Sequence, residues 1–424
     1  MDWRARIRMS WKSPYTVELK QKIQEVEEKI KPLHDLVHQI ALENQNKVLS
    51  SFRENQVSDQ HFNPTTGYGY DDFGRDTLEK VYADVFKAEA GLVRPQIISG
   101  THAISTALFG VLRPGDDLLY ITGAPYDTLL EIVGETGNGI GSLKEYQIGY
   151  QHVDLLADGE VDFDAVKNCI TPKTKMIAIQ RSRGYASRPS FTIEKIEAMI
   201  QTVRQWAPEA VIFVDNCYGE FVEEREPIEV GADLIAGSLI KNPGGGLAKI
   251  GGYIVGREDL IEACGYRLTS PGIGREAGAS LYSLQEMYQG FFLAPHVVGE
   301  AVKGAIYTAA LLAECQIEST PKWDDPRTDL IQRISLNDPE KMVRFAQTIQ
   351  KYSPINAHVM PIGAYMPGYE DDVIMAAGTF IQGASLELTA DGPIRSPYTL
   401  YVQGGLTYEH VKLAVTAAVS ELFF

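Results

Sequence analysis

Hydrophobic positions recur along this chain with two different periods. Between residues 16 and 58, Val17, Leu19, Ile23, Val26, Ile30, Leu33, Leu36, Val37 and Ile40 return at helical spacing among charged residues. That pattern predicts one or two amphipathic helices, broken near Pro32. A packed helix is the plain use for such a stretch; a dimer arm or a bridge between domains is the other. Residues 63–86 open as a loop dense in Gly, Tyr and Asp and turn helical from about Asp76. Short apolar runs near 97, 119, 177, 212, 237 and 253 then alternate with helical stretches. The runs Val211 to Val214 and Leu234 to Ile240 show no polar alternation, the mark of strands buried on both faces. The expected class is therefore α/β with a mostly parallel sheet. From about residue 290 the character changes. Residues 301–316 read as a long helix, 322–330 as a surface loop, 339–352 as a helix and 380–390 as a half-exposed strand, together a smaller α+β unit. The expected division is a helical arm over 1–60, a large domain over 61–290 and a small domain over 291–424.

Charge narrows the partners. A net charge of −17 disfavours non-specific binding to nucleic acid and to anionic membranes. Cys169, Cys217, Cys264 and Cys315 lie far apart, so neither a disulfide framework nor a zinc site is indicated. His61, His102, His152 and His296 are too scattered to suggest a metal centre. The basic N-terminus has no apolar core of the kind a secretory signal needs, and no uninterrupted apolar run reaches the ~18 residues of a membrane span. A cytoplasmic location is the expectation.

Chemistry enters where apolar strands end in charge. The first buried run leads straight into Asp215 and the second into Lys241. In open α/β sheets, ligands bind beyond the carboxyl ends of strands. A lysine and an aspartate there suit pyridoxal phosphate, the lysine forming the Schiff base and the aspartate keeping the pyridine nitrogen protonated. A buried Asp–Lys ion pair without cofactor is the competing reading. Lys249 is a rival attachment point, but it lies past the glycine turn with no buried run before it. Ser99-Gly100-Thr101 opens a helix and offers N–H groups and hydroxyls to a phosphate. His102 beside it reads as a cap or packing residue. Tyr126 stands beyond a strand end, where a flat ring can stack on a flat cofactor. Tyr68 and Tyr70 flank a glycine in the loop, and Arg395 sits between two prolines, where a guanidinium can grip a carboxylate or simply be solvated.

In that order and spacing, these residues resemble the fold type I pyridoxal-phosphate enzymes of Cys/Met metabolism, the cystathionine lyases and methionine gamma-lyase. The nearest branch is the methionine gamma-lyase-like or aluminium-resistance proteins, and the resemblance runs from about residue 60 to 424. It implies a large domain with a seven-stranded, mostly parallel sheet, and pyridoxal 5′-phosphate as cofactor. It further implies Ser99, Gly100, Thr101 and Ser238 at the phosphate, Tyr126 over the ring with a catalytic part, Asp215 at the ring nitrogen and Lys241 as attachment and base. Arg395 falls to the substrate carboxylate, and Tyr68 or Tyr70 to a phosphate contact across a homodimer or homotetramer with shared sites. Two stretches depart from the family pattern. The tyrosine loop reads GYGYDDFGRD with Arg75 displaced, and Gln180-Arg181-Ser182-Arg183 replaces a Ser/Pro/Asn-rich segment. The implied activity is β- or γ-elimination from a sulfur amino acid. Transamination, aldol cleavage or a cofactor-bearing stress protein with little turnover are the alternatives.

Overall fold

Strand connection explains why the chain builds two sheets of opposite character. The computed structural model describes residues 11–12, 14–366 and 371–424; residues 1–10 of the expected arm lie outside the described residues. Strands β1 (Ala90–Arg94), β2 (Asp117–Tyr120), β3 (Gly149–His152), β4 (Thr174–Gln180), β5 (Val211–Asp215), β6 (Leu234–Ser238) and β7 (Gly252–Gly256) form a seven-stranded sheet in the order β1-β7-β6-β5-β4-β2-β3. From β6 to β3 the neighbours are parallel, whereas β7 runs antiparallel to both β6 and β1. Parallel neighbours need helical crossovers, which cover both faces, so every residue of β5 and β6 is buried.

The helices are α1 (Val17–Glu54), α2 (Phe73–Phe86), α3 (Gly100–Val111), α4 (Asp127–Val133), α5 (Phe163–Cys169), α6 (Ile193–Arg204), α7 (Glu258–Leu268), α8 (Leu284–Glu314), α9 (Pro339–Lys351) and α10 (Tyr408–Phe423). The second sheet joins β8 (Ser319–Thr320), β9 (Ile331–Ser335), β10 (Val373–Ala376), β11 (Thr389–Pro393) and β12 (Thr399–Gln403) in the order β10-β11-β12-β9-β8, every neighbour antiparallel. One side of it is packed by α9, which in turn lies on α10. Among the described residues no helix is long and apolar enough to cross a membrane.

Three expectations need correction. Helix α1 does not break at Pro32 but continues for 38 residues. The proline ring is exposed, while Leu19, Ile23, Val26, Ile30 and Val37 bury a stripe against α8, and that packing outweighs one lost hydrogen bond. The strand expected near 97 lies earlier, at β1, because Pro95 lacks the N–H a ladder needs and starts a turn that runs into α3. Residues 380–388 do not form a strand. The Glu387 carboxylate folds that segment back by accepting from the Phe380 and Ile381 N–H groups at 2.8 and 2.9 Å, and Gly383 takes a φ of 76°. In addition, α8 runs through position 290, so the change in sequence character falls inside a helix. The 322–330 loop is buried at its inner end, at Thr328, Asp329 and Leu330.

The outer strand β1 is held by a buried charge. Arg94 donates from Nε to Glu79 Oε1 of α2 at 2.7 Å and from its other nitrogens to the carbonyls of Arg275 and Ala277. Both side chains are buried. Replacing Arg94 by Leu takes the closer of two guanidinium partners from interior Glu79, leaving Arg275 at 3.9 Å, and a loss of up to about 3–5 kcal/mol of stability is expected. Denaturant midpoints check this. The double replacement Glu79→Leu/Arg94→Leu is expected to unfold at a higher midpoint than Arg94→Leu alone.

Candidate active site

Parallel strands deliver their carboxyl ends to one edge, and the residues just past those ends meet there. The segments following β2, β4, β5 and β6 contribute Tyr126, Gln180 with Ser182, Asp215 with Cys217 and Tyr218, and Ser238 with Lys241 to one cavity of roughly 290 Å³. Because β1 is antiparallel to β7 and β7 to β6, β1 points the same way and brings the start of α3 to this edge. The opposite wall belongs to the small sheet, through Met375 on β10, Asp391 on β11 and Gln403 on β12.

Lys241 and Asp215 are the two charges that an apolar interior would reject. Asp215 Oδ1 accepts from the Cys217 N–H at 3.1 Å. Burial pushes the Asp215 carboxyl above the usual carboxylate range, while Lys241, the Cys217 bonds and Arg188 offset part of that shift. Burial also works against the Lys241 ammonium, yet Cys217, Tyr218, Asp215 and Glu220 around it raise its pKa above the ordinary lysine value. Burial keeps the Cys217 thiol protonated, so at neutral pH the Asp215 carboxylate and the Tyr218 ring are what favour the charged amine. The amine lies 4.0 Å from the centroid of that ring. Tyr218 has a φ of 71°, a left-handed conformation that is costly for an aromatic residue. It is held there by Asn242, the neighbour of Lys241, whose Nδ2 donates to the Tyr218 and Glu220 carbonyls. After Lys241, the Gly245 and Gly246 backbones are left-handed, and a Cβ at Gly245 would meet the Gly290 carbonyl of α8 at 2.1 Å.

The remaining cavity residues fit pyridoxal phosphate. Ser99 caps α3 by accepting from the His102 N–H at 3.1 Å, leaving Gly100 and Thr101 at a helix start that favours an anion. Gly100 admits that close approach, since a Cβ there would stand 3.2 Å from the Ser238 Cβ and 3.3 Å from the Cys217 sulfur. A phosphate at this end and a ring nitrogen at Asp215 would place an aldehyde within the same cavity as Lys241, which is the donor set the group requires. Tyr126 lines the same space, with its N–H donating to Gln180 Oε1 at 2.7 Å.

Five sequence candidates stand apart from the cavity. Lys249 is exposed and paired with Glu286 on α8. His102 is bound into the turn by the Ile98 N–H, as a local cap. Tyr68 and Tyr70 are exposed and stacked on each other with centroids 5.3 Å apart. Their loop is fixed from below, because Gly278 N–H donates to the Tyr68 carbonyl and buried Arg75 donates to the Gly69 and Gly278 carbonyls. Arg395 is exposed and bonded to Asp371 at 3.2 Å; it lines a neighbouring cavity of roughly 150 Å³ together with Tyr126 and Arg183. Sequence reading passed over Tyr218, Glu220, Asp391 and Gln403. Asp391 gives no such signal as Asp215 does, because Thr389-Ala390-Asp391-Gly392-Pro393 has the composition of a turn.

The family model described as methionine gamma-lyase matches residues 19–423. The uncharacterised protein YnbB of Bacillus subtilis is 67% identical over 405 residues, covering 95% of this chain and 96% of that protein. The structure of a candidate cystathionine beta-lyase involved in aluminium resistance from Listeria monocytogenes superposes with a TM-score of 0.94 at 70% identity, covering 95% of this chain and all of that one. A carbon–sulfur lyase involved in aluminium resistance from Clostridium novyi gives a TM-score of 0.92 at 45% identity, covering 96% of each chain.

Glu220 provides a pH test of this interior. Its Oε1 accepts from the Tyr253 hydroxyl at 2.8 Å, and its Oε2 has no partner among the described residues. Burial pushes the carboxyl up to about 8, with the Tyr253 bond and Lys241 countering and Glu226 reinforcing. A folded pKa above the unfolded one gives stability that is present in full at low pH and lost as pH rises through the folded value. Glu220→Gln keeps the acceptor for Tyr253 and cannot ionise. Its melting temperature is therefore expected to gain on the native chain from about pH 5 to about pH 8.5, as read by thermal denaturation across that range.

Proposed function

The chain belongs to the methionine gamma-lyase family, and on that premise we propose that it is a pyridoxal-phosphate-dependent carbon–sulfur lyase acting on a sulfur-containing amino acid. The observation that supports this most directly is half-buried Lys241 and buried Asp215 lining one cavity with an anion-accepting helix start. Pyridoxal phosphate, when bound, supplies a conjugated ring that takes up the electron pair left when the substrate Cα loses its proton. Ser99, Gly100, Thr101 and Ser238 hold the phosphate. Asp215 keeps the ring nitrogen protonated, and Tyr126 covers the ring. Lys241 is the attachment point and, once its amine is free and neutral, the base that removes the Cα proton. Expulsion of a β- or γ-thiol leaves an unsaturated amine that tautomerises to the imine, and its hydrolysis by one water gives the keto acid and ammonia.

Arg395, which lines the neighbouring cavity together with Tyr126, is our assignment for the substrate carboxylate. Residues 61–290 form the cofactor cradle and 291–424 the facing wall, with α8 common to both. Tyr68 and Tyr70, exposed on their loop, are our assignment for a contact with the phosphate of a second subunit in a two-fold assembly.

Two measurements check this reading. Borohydride reduction of the yellow protein is expected to fix the cofactor on the peptide containing Lys241; a label on Lys249 moves the site past the glycine turn and sinks the assignment. For the shared site, Lys241→Ala and a Tyr68→Ala/Tyr70→Ala variant are each expected to be nearly inactive alone. Mixed dimers regain activity if the tyrosines act across the interface, since one composite site is then intact. Verified mixed dimers that stay inactive would retire the shared-site claim.

A further inference from the structure

The wall facing Lys241 carries polar groups for which the lyase chemistry has so far no use. Thr389 and Asp391 project from one face of β11, and Gln403 stands opposite Thr389 on β12. Ser385, from the preceding segment, lines the same part of the cavity. These positions are nearly closed to solvent, with Asp391 2% exposed. Asp391 Oδ1 accepts one bond, from Gln403 Nε2 at 3.2 Å. The hydroxyls of Ser385 and Thr389 have no hydrogen-bond partner among the described residues.

A buried carboxyl bordered by unsatisfied hydroxyls, inside a ligand cavity, is an incomplete arrangement. Among the described residues its hydrogen-bond partner is the neutral Gln403 amide, whereas Asp215 on the other wall has Lys241 and Arg188 acting on it. Burial therefore pushes the Asp391 carboxyl up to about 7, with the Gln403 bond countering. What the wall lacks is a positive group with several donors. A primary ammonium supplies three N–H donors and one charge, which matches a carboxylate and two hydroxyls.

We propose that Ser385, Thr389, Asp391 and Gln403 form a subsite for a primary ammonium carried by the ligand at the end remote from its reacting α-amino group. The inference rests on the lyase reading and deepens it. Preferred substrates are those whose leaving thiol bears an amino group, over those that leave as a simple alkyl thiol. On binding, the Asp391 carboxyl gives up its proton to solvent and takes the ammonium as counter-ion, so no bond in the ligand is altered at this wall.

L-lysine and L-norleucine share one carbon skeleton and differ by a terminal ammonium, so they isolate the subsite. Their dissociation constants are measured calorimetrically on the cofactor-loaded protein and on Asp391→Asn. The native protein is expected to prefer L-lysine by at least about tenfold, and Asp391→Asn to abolish that preference, because a buried charge pair loses one member. Thr389→Val, which removes one hydroxyl at constant volume, is expected to reduce the preference in the same direction and serves if the Asn variant does not fold. Equal affinities in the native protein overturn the proposal, as does a preference that survives in both variants. A fall in kcat on amino-bearing and simple thioethers alike, with the ligand preference unchanged, also overturns it and makes Asp391 a proton donor to the leaving sulfur. The borohydride label on Lys241 reports on the lyase reading separately, since Asp391 takes no part in that reduction.

Discussion

Everything at the sheet edge depends on holding an ammonium, half-buried, in a cavity between two sheets. Burying an isolated charge costs several kcal/mol even after relaxation. The chain meets that cost around Lys241 with diffuse contacts: a carboxylate on the next strand, a tyrosine ring beneath the amine and a carboxyl behind it. Diffuse stabilisation suits a group that has to gain and lose a covalent partner. A tight bidentate ion pair would satisfy the ammonium too well and hold the amine away from any ligand.

The demand then passes outward. Asp215 is followed by Asn216, whose Oδ1 accepts from Arg181 at 2.8 Å and whose Nδ2 donates to Glu226 at 3.0 Å. Arg181 is fully buried and also reaches Glu223 and Thr328, so it ties the end of β4 to the segment leading into β9. A side chain with five donors in a planar fork is well suited to such a junction, and Lys could not replace it. The Gln180-Arg181-Ser182-Arg183 segment that departs from the family pattern is in this respect a structural junction as well as part of the cavity lining. Ser182 donates to Asp329 at 2.7 Å, fastening the two sheets at a second point.

How far the sequence could be read follows from the range of each interaction. Buried parallel strands announce themselves locally, because two covered faces demand unbroken apolar runs, and β5 and β6 lie where the runs predict. Asp215 and Lys241 were visible for the same reason, as charges at the ends of such runs. Positions decided by distant partners were not. The continuity of α1 through Pro32 depends on a helix more than 250 residues later in the chain. The 380–388 segment alternates like a strand, yet its backbone donors are taken by Glu387. Tyr218 gives no sign in the sequence of its left-handed backbone, which follows from the grip of Asn242.

The contact between Gly245 and Gly290 sets a mechanical condition on the cavity. The turn after Lys241 is pressed against the backbone of α8, with no side chain between them to yield. That same helix continues into the half of the chain that supplies the opposite wall. The two walls are therefore gauged from one helix, and the point where sequence character changes falls inside it, close to Pro295. A protein built in this way selects its ligands by length and end-group chemistry more than by adaptable shape.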